Sequence, residues 1–575
     1  MKKLLCIFLM LLLLATLGGC GGNTAVGNSS GVETGETGDQ EGNEEEVLHV
    51  NEFGWEVPKE TITITYYAGY DDPAEAEKYA EPMAKFYKEK FNVEFKKIVY
   101  NVDMVERLNL MLASNDYPEV ITWMPDDMAE RFIMQGKAIE LTPYLEKYGH
   151  NITRRLGKYL NLLKTDDGKL YKLPVGWGQN PNVAGWDFAV RYDLWKKAGL
   201  PIYKTPEEYY ETLKKLMQMY PTNANGEKVY ALSDNSQGAN LYGAMLGAYG
   251  FKNGFKVDEK TGEFTHWINT DEGLEIARYI NRFIREGMMD PDFLNNKFED
   301  WQAKVMNERV IGNIGTWWHV WVAGHEAWGQ QEGENYNIEK RFMNVTVKAP
   351  GVEEHTLLGS NFIGTSRVIM TDKCTQPENV MKWWNWECSE LGTMITAFGP
   401  PGPENVWDIV DGKWMFKDST FDNARKNEVF HAVVEKWGGK AYWMVTSGGL
   451  LEHPNIDPRV TRVSTYDFWP IKEDGSFLDP GVNICWQYTD GKSWDSTLFT
   501  VTFKPDDPIT TVKQTIDDTL PSEWAKIIMS KTDAELEANF MAAREKLNSL
   551  GLHDLEKFYA DSYKANVEKF NQLCN

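Results

Sequence analysis

Tryptophan is the residue through which this sequence could do its chemistry. The chain of 575 residues holds 22 of them. An indole offers a large, rigid, apolar face and one N–H donor. Such a face stacks on the C–H face of a pyranose ring. Several tryptophans stand where a strand is expected to end. Trp123 closes EVITW, and Asp126 follows three residues later. Trp317 and Trp318 follow VIGNIGT. Trp177 lies in a stretch rich in Gly, Trp and Asn, residues 175–185, with Trp186 just beyond. Trp443, Trp469 and Asn361 fall in Gly- or Ser-rich loops, where binding residues concentrate. Trp383, Trp384 and Trp386 lie on an expected helix and should pack or pave its surface.

Other chemistry finds less support. Glycoside hydrolysis would need two carboxyl groups about 5–10 Å apart across the scissile bond. Asp126, Asp127, Asp187 and Asp467 are available, but no motif singles out two of them. The one GxSxG match, GNSSG at residues 27–31, falls in a stretch with no strand or helix pattern around it, and there is no HExxH. Cys374, Cys388, Cys485 and Cys574 form no CxxC, which argues against a zinc site. Cys388 should lie well inside a helix that starts near Pro377, so a bridge to Cys374 is out of reach. A receptor for amino acids would need a fixed arginine on the carboxylate. Arg191 is the nearest candidate, although RYD here suits a strand end and helix start.

The N-terminus points outward from the cell. Lys2 and Lys3 precede an apolar run over residues 4–14, then Leu17-Gly18-Gly19-Cys20. Charge, a short apolar core and small residues make a secretory signal, residues 1–19. The run is too short for the roughly 20 residues a bilayer requires. Residues 21–50 hold seven acids and no Lys, Arg or aromatic residue. Such a segment cannot bury enough apolar surface to order itself, and its charges extend it. Residues 20–56 are therefore expected to form a disordered tether.

The remainder, about 57–575, is long for one domain and predicts at least two lobes. Its 42% hydrophobic content is ample for sizeable cores. A formal net charge of −25 argues against nucleic acid, whose phosphates require a basic surface. It also argues against an anionic polymer as ligand.

Residues 61–67 (TITITYY) alternate as a strand, 74–91 as a helix, and 93–99 as a strand. A helix over 102–114 and a strand over 119–123 follow. This β-α-β-α-β order predicts an α/β lobe with a parallel sheet. Further strands are expected at 188–192, 310–316, 342–348 and 362–370. Thr205-Pro206-Glu207-Glu208 spells a capping box, and another helix should run from Thr270 to Gly287. One helix is expected over 377–397, and two more in the tail, over 524–550 and 555–573.

Taken in order, these segments resemble the extracellular solute-binding proteins of ABC transporters, family 1, carbohydrate-type, in the LplA-like lipoprotein branch. LMLASNDYPEVITW (110–123), GKAIELTPYLEKYGHNI (136–152) and DGKLYKLP (167–174) carry the resemblance through the first half. FAVRYDLWKKAGLPIYKTPEEYYETLKKL (188–216), GLEIARYINRFIREGMMDPDF (273–293) and KLNSLGLHDLEKFYADSY (546–563) carry it through the rest. Residues 17–20 similarly resemble a lipobox, which implies a lipid on Cys20.

The resemblance implies an α/β chain with a two-lobed, periplasmic-binding-protein-like fold (type II), a cleft between the lobes and a helical C-terminal extension. The lobes are expected at 57–177 with 310–370, and at 178–309 with 371–510, followed by a tail at 511–575. Segments near 175–188, 300–316 and 365–375 would cross between them. Ligands of open α/β sheets bind beyond the carboxyl ends of strands. In related maltose-type proteins a Trp and an Asp spaced like Trp123 and Asp126 touch the sugar. Trp317 matches a strand-end tryptophan of the same proteins, and Trp177 faces the same crevice. The expected ligand-binding set is Trp123, Asp126, Trp177, Trp186, Trp317, Trp318, Asn361, Trp443 and Trp469. The expected partners are a carbohydrate, an ABC permease and, through Cys20, the outer face of the cell membrane. The expected state is a monomer with no cofactor. Some alginate-type relatives bind calcium in an Asp-rich loop. The corresponding residues 221–228 offer two Asn and one Glu, a poor donor set for a hard cation. The competing readings are an exported carbohydrate-active enzyme and a peptide or amino-acid receptor of the same fold.

Overall fold

The computed structural model describes residues 49–572, apart from 70–72, 99–102, 176–187, 237, 259, 316–326, 357–360, 365, 404, 406, 417–443, 446–468, 470–471, 473–475, 489–493 and 505. Cys20 and most of the expected tether lie outside the described residues.

The first lobe grows from the predicted parallel core. Strands β1 (Ile62–Ala68), β2 (Val93–Lys97) and β3 (Val120–Pro125) run parallel. The short β4 (Leu173–Val175) comes next in the chain. The strand Ser366–Met370 inserts antiparallel between β3 and β4. Strand alternation feeds a core on each face of this sheet. Ile62, Ile64 and Tyr66 of β1 and Val120 of β3 join one buried cluster with Trp383, Trp384 and Trp386. Tyr67 and Ile121 join the other, with Met128 and Phe132. The three helix tryptophans are thus core residues, as expected.

The second lobe is centred on β5 (Phe188–Arg191). A hairpin of β6 (Phe255–Asp258) and β7 (Glu263–His266) follows. Strands β8 (Gly312–Ile314) and β9 (Phe342–Asn344) flank β5, both antiparallel to it. The strand Ser366–Met370 of the first lobe is then β10. Phe188 and Val190 face a large cluster built with the helices Pro206–Met219, Ala239–Ala248 and Asp271–Arg285. The capping box forms as predicted: Thr205 Oγ1 accepts from the Glu208 amide at 3.3 Å, and Glu208 Oε2 accepts from the Thr205 amide at 3.1 Å.

Several expectations are corrected. Residues 49–56 are ordered, not tether. The Asn51 side chain accepts from the amides of Phe53 and Trp55, both at 3.0 Å. Gly54 supplies a φ of 71° for the turn. Phe53 and Trp55 are buried in the first-lobe core, and the Trp55 indole donates to the Phe91 carbonyl at 2.9 Å. β8 and β9 do not belong to the first lobe, because both pair with β5. Nor do residues 371–416 belong to the second: Val380, Trp407 and Trp414 pack in the first-lobe core. The expected helix over 377–397 is two, Pro377–Glu387 and Glu390–Phe398. Ser389 caps the second by accepting from the Gly392 amide at 3.0 Å. Cys388 is the C-cap of the first and not interior to it. Cys374, Cys388 and Cys485 are buried free thiols.

The tail has three helices where two were expected, and it is not an appendage. Its helices are Pro508–Ile528, Asp533–Ser549 and Leu552–Asn571. Trp524, Phe540 and Leu547 complete the second-lobe cluster. The last helix also reaches the first lobe: the Asn161 amide donates to the Gln572 carbonyl at 3.1 Å, and Tyr159 packs on Phe570 at 4.9 Å. Among the described residues no helix is long and apolar enough to cross a membrane.

Candidate functional site

The carboxyl ends of the first-lobe strands converge on Trp123. β1 ends at Ala68, and the Gly69 amide donates to the Thr122 carbonyl at 3.0 Å. A Cβ on Gly69 would lie 2.6 Å from the Trp123 carbonyl oxygen and 2.3 Å from Met104 Sδ. Only glycine permits this approach. Thr122 is fully buried, and its hydroxyl donates to the Met444 carbonyl at 2.6 Å. The Met444 amide in turn donates to Glu387 at 2.9 Å. Residues 444–445 are thereby laid across the strand ends.

Trp123 itself has a φ of 55°. A bulky residue in the left-handed region is uncommon, and such a conformation costs about 1–3 kcal/mol unless its surroundings hold it. The backbone turns there and the indole leaves the strand half-buried, against the edge of the core. Sequence reasoning found this position but not its conformation.

Asp126 opens the helix Asp126–Met134. Its Oδ1 accepts from Lys172 Nζ at 2.7 Å and Arg367 Nε at 2.5 Å. Its Oδ2 accepts from the Thr502 hydroxyl at 2.6 Å. Lys172 also reaches Glu130 at 2.6 Å. Burial alone would raise the Asp126 pKa. The adjacent Lys172 and Arg367 charges, with the hydrogen bonds from Lys172 and Thr502, outweigh it and hold the carboxyl well below the usual range. Three of the roughly four acceptor positions of this carboxylate are filled from within the protein. Asp126 was expected to serve ligand hydroxyls; in this structure its partners are Lys172, Arg367 and Thr502.

Two further expected contacts sit elsewhere. Asn361 lies where the lobes join: its amide donates to Thr500 Oγ1 at 2.9 Å, and its carbonyl accepts from the Ile363 amide at 3.1 Å. Trp469 is buried in the second-lobe core, edge-on to Tyr192 at 5.2 Å. It packs there among the described residues. Trp177, Trp186, Trp317, Trp318 and Trp443 lie outside the described residues.

The second lobe adds polar groups that the sequence reading missed. Residues 229–232 run beside β8, with Tyr230 bridged in parallel to Val310 and the Gly312 amide donating to the Ala231 carbonyl. Ser233, Asp234, Asn235 and Ser236 follow this short strand at the same end as Gly315. Asp234 is buried. Its Oδ2 accepts from the Ser236 hydroxyl and the Gly238 amide, and its Oδ1 from Asn240, each at 2.8 Å. Burial raises its pKa, and these hydrogen bonds offset part of the rise. Asn235 and Ser236 stay half-exposed. SDNS after the apolar VYAL was the available signal: a polar cluster at a strand's carboxyl end.

Arg191 is not an open anion receptor. It is buried and paired with Asp193 at 2.9 Å and Glu308 at 3.0 Å. In the loop 221–228, Asn223 Oδ1 accepts from the Asn225 and Glu227 amides, and Nδ2 donates to Glu227 and to the Asn307 carbonyl. Among the described residues, no three His, Cys, Asp or Glu side chains form a group that could hold a metal ion.

No protein-family model matches the sequence, and no curated protein matches it. Solved structures do match the fold. The alginate-binding protein AlgQ2 without calcium ion aligns over 89% of this chain and 99% of its own, with a TM-score of 0.59 and 17% identity. The S. pneumoniae ABC-transporter substrate binding protein FusA in complex with kestose aligns over 88% and 99%, with a TM-score of 0.61 and 16% identity. An HMO-binding, ABC-transporter-associated solute binding protein from Bifidobacterium longum infantis aligns over 88% and 98%, with a TM-score of 0.59 and 16% identity. The chain therefore has the two-lobed α/β fold of the solute-binding proteins that work with ABC transporters.

Proposed function

We propose that this protein is an extracellular, lipid-anchored binding protein that captures a carbohydrate, an oligosaccharide, and delivers it to an ABC importer. On this reading it is a monomer and not an enzyme. The observation that carries it is Trp123: an indole held in a strained backbone at the carboxyl end of a parallel strand, in a fold whose solved neighbours are named for alginate, kestose and HMO binding. A neutral sugar needs an apolar platform and a polar rim. On this reading Trp123 supplies the first, and Asn235 and Ser236, half-exposed beyond a second-lobe strand, are the candidates for the second. Trp177, Trp186, Trp317, Trp318 and Trp443 remain candidate platforms from the sequence resemblance. The acidic balance of the chain favours a neutral ligand over an anionic one.

Calorimetry over a panel of fructo-, malto-, milk and alginate oligosaccharides, with peptides as controls, tests the reading. One neutral class should bind, and small-angle scattering should show a smaller radius of gyration at saturation, as hinge closure requires. Binding of peptides but of no sugar would overturn the carbohydrate assignment.

The anchor has a separate test. Cys20→Ala should move the protein from the membrane pellet to the soluble or secreted fraction, because stable attachment depends on acyl chains that contribute about 0.8 kcal/mol per buried methylene. A variant that pellets as firmly as the parent would contradict lipidation at Cys20.

A further inference from the structure

Four segments of the chain converge on the carboxylate of Asp126. The first is its own: Asp126 opens a helix three residues beyond Trp123. Lys172 stands just before β4, whose end at Val175 leads out to the second lobe. Arg367 is the second residue of β10, where the chain re-enters the first lobe. Thr502 precedes the tail helix Pro508–Ile528, which packs in the second-lobe core. The chain leaves the first-lobe core after Val175 and is back in it at Ile363, having built much of the second-lobe core in between. Asp126 therefore holds the first-lobe ends of that excursion, together with the segment that leads into the tail.

Arg367 strengthens this junction. While Nε serves Asp126, Nη1 donates to the carbonyls of Ile363 at 3.1 Å and Gly364 at 3.0 Å. The last residues of the incoming crossover are thus held by the same guanidinium. Arg367 also pairs with Met124 and Ser366 with Pro125, and the β3–β10 register shifts between Arg367 and Ile369. That irregularity lies directly behind the left-handed Trp123.

We infer that Asp126 is a positioning residue, which joins the strand end presenting Trp123 to the linkers between the lobes as one rigid piece. An indole displaced by a ligand then displaces the linker ends with it. Hydrogen-bonded charges of this kind are short and geometrically specific, and a satisfied network of them makes its surroundings rigid. The inference rests on the proposed function only in taking Trp123 as the ligand contact. Its test needs no ligand, so the two can fail separately.

Hydrogen exchange on the ligand-free, full-length protein reads the coupling. Thr502→Val removes one hydroxyl and leaves every charge in place. Exchange should quicken about fivefold, the loss of one net hydrogen bond, in peptides covering residues 120–125 and 361–366. The Thr502 side chain makes its hydrogen bond to Asp126 alone among these segments. Asp126→Asn should give the same pattern, more strongly, with circular dichroism checking that it folds. Core peptides such as 188–191 should be unchanged in both. Faster exchange confined to residues 497–504 would overturn the inference, because the hydroxyl would then tether only its own segment. Unchanged exchange throughout would overturn it equally, and Thr502→Val suffices for either outcome should Asp126→Asn fail to fold.

Discussion

Trp123→Ala should weaken binding of the cognate oligosaccharide by at least about thirtyfold, or roughly 2 kcal/mol. The substitution is informative because of the backbone. Alanine keeps a Cβ, so the strain of a φ of 55° is retained, and the change removes the ring alone. Trp123→Gly is the complement: it removes the ring and relieves the strain together. The indole is only half-buried and lies at the edge of the first-lobe core, so its loss should lower stability less than loss of a fully buried tryptophan would. Calorimetry on the oligosaccharide identified by the panel checks the affinity, and circular dichroism checks the fold. A folded Trp123→Ala variant with parental affinity would make Trp123 a packing residue. Trp317→Ala, at the strand-end position named by the sequence resemblance, is the companion test and should give a loss of similar size.

The parts legible in the sequence were those set by local rules. Alternation in residues 61–67, the helix period after it and the apolar 119–123 run fixed three parallel strands, because each strand must bury a face and its sequence says so. The Thr205 cap is equally local. What escaped were decisions made by distant partners. Nothing near residues 310–347 announces that both β8 and β9 will pair with β5. Residues 49–56 read as tether because they adjoin an acidic stretch that lacks Lys, Arg and aromatic residues. Their order comes from Phe91 and Trp386, far along the chain, which meet Trp55 and Phe53. The helix break at Ser389 is local chemistry overlooked: a Cβ on Gly392 would lie 2.1 Å from the Trp386 carbonyl oxygen.

The site divides the same way. Trp123 was visible as a strand-ending tryptophan. Its left-handed conformation depends on its packing against Gly69 and on the bulge opposite it. Asp126 looked like a free acceptor because Lys172, Arg367 and Thr502 are 46, 241 and 376 residues away from it in sequence. Trp469 looked like a loop tryptophan because Tyr192, its packing partner, belongs to another part of the chain.

A chain ending at residue 507 should fail to form a native second lobe. The tail was expected to be an extension, yet it supplies one wall of that lobe's core. Trp524, Ile527, Ile528, Phe540 and Leu547 are fully buried within the cluster that holds Phe188 and Val190. Each such side chain contributes about 1.5–3 kcal/mol on burial. Five together exceed much of the roughly 5–15 kcal/mol that keeps a domain folded. The polar contacts point the same way. Asn281 is buried and donates to the Ile528 and Ser530 carbonyls, both at 2.7 Å. Arg544 donates to the Ile268 carbonyl at 2.7 Å and the Thr270 carbonyl at 3.0 Å, where the helix Asp271–Arg285 begins. Truncation would leave Asn281 without these acceptors and expose Trp267, which meets Trp524 edge-on at 5.5 Å. The truncated chain should be insoluble, or soluble without a cooperative melt and with weakened near-ultraviolet circular dichroism. Trp524→Ala is the graded version and should cost about 3–5 kcal/mol in chemical denaturation. A truncated chain that melts cooperatively near the full-length midpoint would show instead that the lobe closes its core without the tail.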